Sequence, residues 1–298
     1  MLDWKTPDLD FVRRIHNSTH QGSDLSPGNI LLLRDKYDIL TAEAEGAVFR
    51  YYRGRTSNRR GYGFPIAAGS FDGERIFSML RRDAKSRGVP FGFCLCDERQ
   101  RKCIDDFLRV EWQSVGGDSD YIYKRESLAA LTGRKLHAKK SNANRFWRTY
   151  AEASYRLLSR ENLADALRVA EAWVAARPEE GKAADMGELA RIRQAAENWE
   201  ALRFLGGLLY VGETPAAMTM ASPISEDCLD LHYEKVVPDF APDGAYAALN
   251  QAFAASEATA SYRYFNWEED MGVPGLRQAK EAYRPAFKLE KFYGCVRP

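Results

Sequence analysis

The chain has 298 residues, of which 45% are hydrophobic and 29% are charged, and its formal net charge is +1. This length suits one large domain or two ordinary ones, and the near-neutral charge argues against a uniformly basic nucleic-acid-binding protein. No run approaches the roughly 18 consecutive apolar residues of a membrane helix, and the N-terminus lacks an apolar signal core. We therefore predict a cytoplasmic protein without an integral membrane segment.

Strand-like and helix-like runs alternate through the first third of the chain. Two runs that are rich in aromatic and β-branched residues and bounded by glycine, 46–54 and 61–69, predict strands. Helices are predicted after Asp72 and after Asp97, each of which can cap a first turn, with a short buried strand between them. A further strand and turn are predicted at 120–131.

The middle of the chain is helical, and the last third alternates again. Apolar residues at helical spacing predict two helices within about 159–201, which we interpret as a helical insertion. A hairpin, a strand, a helix capped by Asp243, a strand, a helix and a last strand follow. The predicted hairpin strands are 203–211 and 215–224, and the later strands are 228–237, 261–267 and 286–296.

This element order predicts an α/β (α+β) protein built from two modules, residues 1–125 and 126–298. Each module is predicted to be a mixed, mostly antiparallel sheet flanked by helices. The order resembles the GNAT acyltransferase fold, in which two neighbouring strands splay apart and the following helix offers its N-terminus to a phosphate. Here the resemblance implies a splay between 228–237 and 261–267, and we expect both modules to be GNAT-like.

Four stretches of the sequence carry a narrower resemblance: 121–146, 231–240, 244–253 and 266–285. Together they resemble the C-terminal domain of lysyl-phosphatidylglycerol synthases and its soluble relatives, also known as DUF2156. Trp267 stands where that family commonly has Arg, and Ser141 and Ala143 replace a basic residue and a His. The C-terminal matches are His232, Glu234, Lys235, Gly244, Ala245, Tyr246, Asn250, Phe253, Asn266, Glu268, Asp270, Gly272, Gly275, Leu276, Arg277, Ala279, Lys280, Tyr283 and Pro285. The upstream matches are Gly133, Lys135, His137, Lys139, Lys140, Asn142 and Phe146.

Three consecutive acids, Glu268, Glu269 and Asp270, directly follow the predicted strand 261–267. The carboxyl ends of strands are where open α/β sheets bind ligands. Carboxylates there could hold a substrate amine or accept its proton as it attacks a carbonyl. The alternative is structural, because acids before a helix can cap it or pair with a nearby Arg or Lys.

His232 and Glu234 alternate along the predicted strand 228–237, so we expect them to share one face. A His–Glu pair can serve as a base and the group that orients it. A buried and mutually satisfied polar pair is the alternative interpretation. Lys235 is expected to point to the other face.

The segment 124–148 carries eight Lys or Arg residues and only one acid, Glu126. Clustered positive charge in a near-neutral protein suits a phosphate-rich partner such as tRNA or an anionic lipid head. The alternative is a solvated helix face, which is the common role of a charge run.

The resemblance implies an acyl or aminoacyl transferase, with aminoacyl-tRNA as the donor and a lipid, peptide, small amine or alcohol as the acceptor. An acetyl-CoA-dependent N-acetyltransferase is one alternative, although Asp239 and Asp243 would face the presumed pyrophosphate. A non-catalytic ligand-binding protein on the same fold is the other. No metal site is predicted, and no cofactor beyond these donor substrates.

The site residues are assigned in three groups. The predicted catalytic residues are Glu268, Asp270, His232 and Glu234. The predicted substrate-binding residues are Glu269, Arg277, Lys280, Tyr246, Asn250, Asn266 and Tyr283. The predicted phosphate- or tRNA-binding residues are Lys135, His137, Lys139, Lys140, Asn142 and Arg145.

Overall fold

The structure is a computed structural model that describes residues 2–15, 20–55, 57–67 and 69–297. The chain divides into two compact units. The first unit comprises 1–120, 269–274 and 288–298, and the second comprises 121–268 and 275–287. The main division therefore falls five residues before the position predicted from sequence, and two later segments return to the first unit.

Helices and strands follow one another in mixed order before the division. They are α1 Leu9–Val12, α2 Pro27–Leu32, β1 Ile39–Ala44, β2 Ala47–Arg53, β3 Arg60–Tyr62, β4 Ile66–Ala67, α3 Gly73–Arg87, β5 Gly92–Cys96, α4 Glu98–Asp105 and β6 Val110–Ser114. The side chains of Asp72 and Asp97 cap α3 and α4, as predicted, because each accepts a hydrogen bond from a first-turn N–H. The predicted strand 61–69 corresponds to β3 and β4, and its Ala68 lies outside the described residues.

The elements from residue 120 onward begin with a strand and a group of helices. They are β7 Asp120–Lys124, α5 Arg125–Ala130, α6 His137–Thr149, β8 Ala153–Leu157, α7 Leu163–Ala175 and α8 Lys182–Glu197. The remaining elements are β9 Leu205–Val211, β10 Thr214–Pro223, β11 Cys228–Val236, α9 Ala245–Ala255, β12 Tyr264–Asn266, α10 Pro274–Glu281, β13 Phe287–Leu289 and β14 Phe292–Val296. The predicted helical insertion corresponds to α7 and α8.

The fold class is confirmed: the protein is mixed α/β, with two mixed and mostly antiparallel sheets flanked by helices. The first sheet has the order β1-β2-β3-β5-β14-β6, with β4 paired to β2. The second has the order β13-β7-β12-β11-β10-β9-β8. The predicted last strand is in fact two strands, and β14 belongs to the first sheet instead of the second module.

β11 and β12, the strands between which the GNAT resemblance implies a splay, pair over only part of β11. β11 and β12 run parallel and pair at three positions, from Cys228↔Tyr264 to Asp230↔Asn266. β11 then continues to Val236, past the end of this pairing. The carboxyl end of β12 therefore lies beside the middle of β11, and we call the region beyond it, along the rest of β11, the opening. The carboxyl ends of strands in open sheets commonly present ligand-binding side chains.

A β-bulge interrupts β11 inside the same opening. The ladder between β10 and β11 pairs Met220 with Tyr233 and then Ala221 with Leu231, so His232 is one extra residue. A bulge places two side chains where regular alternation would place one, and it re-aims those that follow. This local insertion decides which side chains share a face of β11.

The helix that follows β11 begins in a different way from the predicted one. Gly244, not Asp243, is the N-cap of α9, and its φ of +97° is a left-handed conformation. A Cβ at Gly244 would lie 2.2 Å from the carbonyl oxygen of Asn142 on α6, so only glycine fits here. The carboxylate of Asp243 instead accepts a 2.7 Å hydrogen bond from the hydroxyl of Tyr150.

The core of the second unit lies between its sheet and the helices α5, α6 and α9. Phe146, Leu249, Phe253 and Phe265 are essentially inaccessible to solvent there. Among the described helices, none has both the length and the apolar composition that crossing a bilayer requires. The apolar residues of α9 are therefore explained by this core.

Candidate functional site

Three side chains of the second unit, Asp230, His232 and Glu268, form what we call the His232 cluster. Nδ1 of His232 lies 3.4 Å from Oε1 of Glu268 and 3.7 Å from Oδ2 of Asp230. Nε2 of His232 lies 2.7 Å from the hydroxyl oxygen of Ser222 on β10. The side chains of Asp230 and His232 are buried, whereas that of Glu268 is 23% exposed. The cluster is therefore rigid on the strand side and open on the Glu268 side.

The backbone around the opening explains this convergence. Asp230 pairs with Asn266 across the two parallel strands, so their side chains lie on one face of the sheet. Asn266 Oδ1 accepts a 2.6 Å hydrogen bond from the N–H of Glu268, which turns the chain just after β12. Glu268 itself has a φ of +55°, an uncommon conformation for a residue with a side chain. Lys280 donates to the carbonyl oxygens of Trp267 and Glu268 and holds this turn from α10.

The His232 cluster has the composition of a metal-ligand set. One ligand atom from each of its residues can be chosen so that all lie within 4.8 Å of one another. An imidazole nitrogen with two carboxylates suits divalent first-row transition metals. His232 and Glu268 were predicted site residues, whereas Asp230 was not. The Asp-x-His spacing on a strand nevertheless indicates that Asp230 and His232 share a face.

A second group in the same unit, which we call the Glu234 cluster, surrounds the carboxylate of Glu234. Asn250 on α9 donates a 2.7 Å hydrogen bond to Oε1 of Glu234. The ammonium of Lys139 on α6 lies 4.3 Å from the centre of the Tyr283 ring. The remaining member is Tyr246, which is 36% exposed; its partial burial and the charge of Glu234 raise its pKa to about 12. Asn250, Tyr246 and Tyr283 were predicted substrate-binding residues, and the structure brings them together.

Burial governs the protonation of the Glu234 cluster. Burial raises the pKa of Glu234 to about 7, against the opposing hydrogen bond of Asn250 and the charges of Lys235, Lys139 and Lys280. Burial also lowers the pKa of Lys139, and Glu234 partly offsets that effect. Both protonation states of Glu234 are therefore accessible near neutral pH, which suits a group that gains and loses protons.

The prediction that His232 and Glu234 share one face is wrong, and the bulge is the reason. Tyr233, which accompanies His232 at the bulge, is hydrogen-bonded to Arg191 of α8. Lys235 contacts the ring of Trp173 on α7 and pairs with Glu188 of α8. Glu234 instead bonds to α9. The His232 ring lies 6.1 Å from the Tyr233 ring, so His232 lies with Tyr233 on the face that α7 and α8 cover. Glu234 lies on the opposite face, toward α9.

Two buried polar atoms beside the Glu234 cluster have no hydrogen-bond partner among the described residues: Oγ1 of Thr219 and Nε1 of Trp267. Thr219 is paired directly across from Glu234 on β10, so the two side chains are neighbours on one face. Trp267 packs against Tyr283 with ring centres 4.8 Å apart. Buried groups without partners are rare, and a bound ligand is one explanation for them.

The acids that follow Glu268 belong to the first unit and have structural contacts there. Asp270 is buried, and its carboxylate accepts a 2.8 Å hydrogen bond from the N–H of Gly272. Glu269 accepts a 2.6 Å hydrogen bond from the guanidinium of Arg59, with which it forms an ion pair. The sequence did not predict this pair. Tyr37 donates to the same carboxylate. The catalytic assignment of Asp270 and the substrate-binding assignment of Glu269 stay predictions.

The predicted phosphate-binding residues fall into two groups. Four of them are exposed on α6 or on the short 3-10 turn before it: Lys135, His137, Lys140 and Arg145. Lys139 and Asn142 are half-buried, and Lys139 faces the Glu234 cluster. The phosphate-binding assignments stay predictions: the exposed group can contact an extended anion, whereas Lys139 lies beside the ring of Tyr283. Of the remaining predicted substrate-binding residues, Asn266 is buried and Arg277 is exposed.

A family model described as "Phosphatidylglycerol lysyltransferase, C-terminal" matches residues 16–295 of the chain. The chain belongs to this family. The resemblance noted in the sequence is thereby confirmed, and the match covers both units. A search of curated proteins found no match.

Three solved structures share the fold of this chain over nearly its whole length. A conserved protein of unknown function from Bacteroides thetaiotaomicron is 28% identical, with full coverage of both chains and a TM-score of 0.89. L-PGS from Bacillus licheniformis is 16% identical, with 98% and 92% coverage and a TM-score of 0.65. The C-terminal domain of a putative lysylphosphatidylglycerol synthetase from Agrobacterium fabrum is 12% identical, with 94% and 88% coverage and a TM-score of 0.64. The two lower identities establish the fold alone.

Proposed function

We propose that the protein transfers an acyl or aminoacyl group from an activated ester to an amine or alcohol, with the chemistry at the opening between β11 and β12. The observation that carries this proposal is Glu234, a buried carboxylate at that opening whose pKa is raised to about 7. A general base works best when its pKa lies near the working pH. The unpartnered hydroxyl of Thr219 and indole N–H of Trp267 support a ligand at the same position.

In the proposed reaction Glu234 acts as the base and then as the acid. Its carboxylate takes a proton from the acceptor as the acceptor nitrogen or oxygen attacks the ester carbonyl carbon. The new bond to the acyl carbon forms, the bond to the ester oxygen breaks, and the protonated Glu234 returns the proton to that leaving oxygen. Asn250 holds the carboxylate in place through its 2.7 Å hydrogen bond.

The other predicted catalytic residues take different parts in this proposal. His232 and Glu268 lie on the opposite face of β11, where their cluster offers two carboxylates to a positively charged group. Asp270 contributes by shaping the turn that follows Glu268. Tyr246 and Tyr283 form walls around Glu234, and Lys139 supplies a positive charge near the developing negative charge of the carbonyl oxygen.

We infer that the donor is an aminoacyl-tRNA. The family model is described as a lysyltransferase of phosphatidylglycerol, and an aminoacyl ester is the activated form of an amino acid. The exposed Lys135, Lys140 and Arg145 suit contacts with tRNA phosphates. A lipid, a peptide or a small amine or alcohol is the acceptor. Acetyl-CoA is disfavoured as the donor because the carboxylates of Asp239 and Asp243 precede the N-terminus of α9, where a pyrophosphate would bind.

The test is a transfer assay with tRNA charged with a radiolabelled amino-acid mixture, supplied with phosphatidylglycerol vesicles, a peptide or a simple amine in separate reactions. We expect labelled product with one acceptor class and a loss of about 100- to 10,000-fold in rate for Glu234→Gln. Glu213→Gln, the same change on an exposed side chain, serves as the matched control and should retain the rate.

Binding distinguishes the alternatives. Retention of charged tRNA on a filter should fall steeply between two salt concentrations, because phosphate contacts release counterions. A thermal shift with acetyl-CoA and no tRNA retention would replace the proposal with an acetyltransferase. Binding of tRNA with no product from any acceptor, or a full rate in Glu234→Gln, would contradict the assigned chemistry.

A further inference from the structure

We propose that Asp230, His232 and Glu268 bind a divalent first-row cation such as Zn²⁺ or Mn²⁺. The distances from Nδ1 of His232 are 3.4 Å to Glu268 and 3.7 Å to Asp230. Two ligand atoms that share one tetrahedral metal at bonds of about 2.0–2.2 Å lie roughly 3.3–3.6 Å apart. The two distances from Nδ1 therefore lie at or close to this spacing, and the three ligand atoms all lie within 4.8 Å of one another.

Ser222 gives the imidazole the orientation that a ligand needs. Its hydroxyl oxygen is 2.7 Å from Nε2 of His232, on the side of the ring away from the carboxylates. When Nε2 carries the proton and donates it to this oxygen, Nδ1 presents its lone pair toward Asp230 and Glu268. Histidine ligands commonly donate their second ring nitrogen to a neighbouring group in this way, which fixes the tautomer and the ring orientation.

The surroundings of the cluster combine rigidity with access. Asp230 and His232 are buried on a central strand, and the ring of Phe204 lies 5.3 Å from the imidazole ring. Glu268 is partly exposed and follows the end of β12, so it provides the route by which an ion enters. An open coordination position on that side is what separates a reactive metal from a structural one.

A substrate ammonium is the other positively charged group that two carboxylates could attract. An ammonium donates hydrogen bonds in three directions and is satisfied by carboxylates alone, whereas a ring nitrogen of a neutral imidazole is a common metal ligand. The ring nitrogen also sets the preference among cations, because Mg²⁺ and Ca²⁺ favour oxygen ligands. This inference concerns the face of β11 opposite Glu234, and cation binding does not depend on the proposed transfer reaction.

The test is titration calorimetry of the full chain after treatment with a chelator, with Zn²⁺, Mn²⁺ and Mg²⁺ in turn. We expect one bound Zn²⁺ or Mn²⁺ per chain and at least tenfold weaker binding of Mg²⁺. His232→Ala, Asp230→Asn and Glu268→Gln should each lower the affinity at least tenfold. Glu213→Gln, which removes an exposed carboxylate on the β9–β10 turn, is the matched control and should bind as the unchanged protein does.

Ser222→Ala keeps the experiment informative if a ligand variant fails to fold, because it removes only the hydroxyl that orients the ring. Loss of that contact should weaken binding about 10- to 100-fold.

Absence of a bound cation in the unchanged protein would overturn the proposal, and so would full affinity in a folded His232→Ala variant. Weakened Zn²⁺ binding in the presence of a millimolar primary amine, with no affinity loss in Ser222→Ala, would assign the cluster to an ammonium group instead. The cation-binding measurements use no tRNA or acceptor. A negative result in them would not contradict the proposed role of Glu234, and a negative transfer assay would not contradict cation binding.

Discussion

Two buried carboxylates, Asp24 in the first unit and Glu234 in the second, have opposite electrostatic surroundings. In the first unit Asp24 is buried against two cations: Arg50 lies 2.9 Å away, and Lys291 is hydrogen-bonded to it. In the second unit Glu234 has a neutral amide as its hydrogen-bond partner. Burial favours the neutral acid at both positions, but the charges of Lys291 and Arg50 lower the pKa of Asp24 to about 2. The pKa of Glu234 is raised to about 7. A fully paired carboxylate serves the fold, whereas an under-compensated one is available for proton transfer.

The network around Asp24 is extensive within its unit. Lys291 also lies 3.4 Å from Asp120, whose carboxylate accepts hydrogen bonds of 2.8 and 2.9 Å from the backbone and hydroxyl of Ser23. Lys291 follows β13 and sits immediately before β14. The network therefore links the C-terminal strand to residues from the start of the chain, and it explains why β14 returns to the first unit.

The largest expected effect comes from breaking this network. Lys291→Met should lower the free energy of unfolding by roughly 3–5 kcal/mol, because it leaves the carboxylates of Asp24 and Asp120 with one fewer buried cation. Denaturant unfolding measures the change. Lys5→Met, at an exposed ion pair with Asp3, is the control and should unfold as the unchanged protein does. If Lys291→Met and Lys5→Met have the same free energy of unfolding, the buried network does not stabilise the first unit.

The two carboxylates also illustrate what sequence patterns can and cannot predict. The hairpin β9–β10 and the strand β11 were predictable because glycine and polar residues bound their apolar runs. The C-terminal motifs predicted the family, and the match of element order predicted the opening between β11 and β12. Each of these depends on residues that are close together in the chain.

The faces of β11 were not predictable, since strict alternation places His232 with Glu234 and one extra residue reverses that arrangement. The partners of Glu269 and Lys291 were equally hidden, because Arg59 and Asp24 are more than 200 residues away from them in sequence. The raised pKa of Glu234 depends on burial by α6, α9 and the sheet together, which no local pattern records.

A second expected effect is a pH dependence of stability that separates Glu234 from Asp24. The pKa of Glu234 rises from about 4.5 in the unfolded chain to about 7 in the folded protein. The folded state therefore holds the extra proton between these values, and it loses stability relative to the unfolded chain as the pH rises from 4.5 to 7. The loss totals roughly 3 kcal/mol at 1.36 kcal/mol for each pKa unit.

Denaturant unfolding at pH 5 and pH 8 measures this dependence. Glu234→Gln removes the titrating group, so it should be more stable than the unchanged protein at pH 8 and should recover most of that loss. Glu213→Gln, on the exposed hairpin turn, should follow the unchanged protein at both values. Parallel pH profiles for the unchanged protein and Glu234→Gln would show that Glu234 titrates normally, and the proposed base would lose its main support.

The smallest expected effect tests whether the unpartnered hydroxyl of Thr219 is kept for a ligand. Val has nearly the shape of Thr without the hydroxyl, and Oγ1 of Thr219 has no hydrogen-bond partner among the residues described. A buried polar group without a partner costs about 1–3 kcal/mol, so Thr219→Val should raise the free energy of unfolding by about 1 kcal/mol.

The same change should lower the transfer rate if the hydroxyl bonds to a substrate beside Glu234. If Thr219→Val raises the free energy of unfolding and lowers the transfer rate, the hydroxyl of Thr219 costs stability and serves function. The fully paired groups around Asp24 carry no such cost. Ser222→Val on the same strand is the contrasting variant, because its hydroxyl already bonds to His232 and its loss should destabilise the fold. If Thr219→Val is stabilising and fully active, the hydroxyl has no ligand, and the substrate must lie away from the strand pair that carries Glu234.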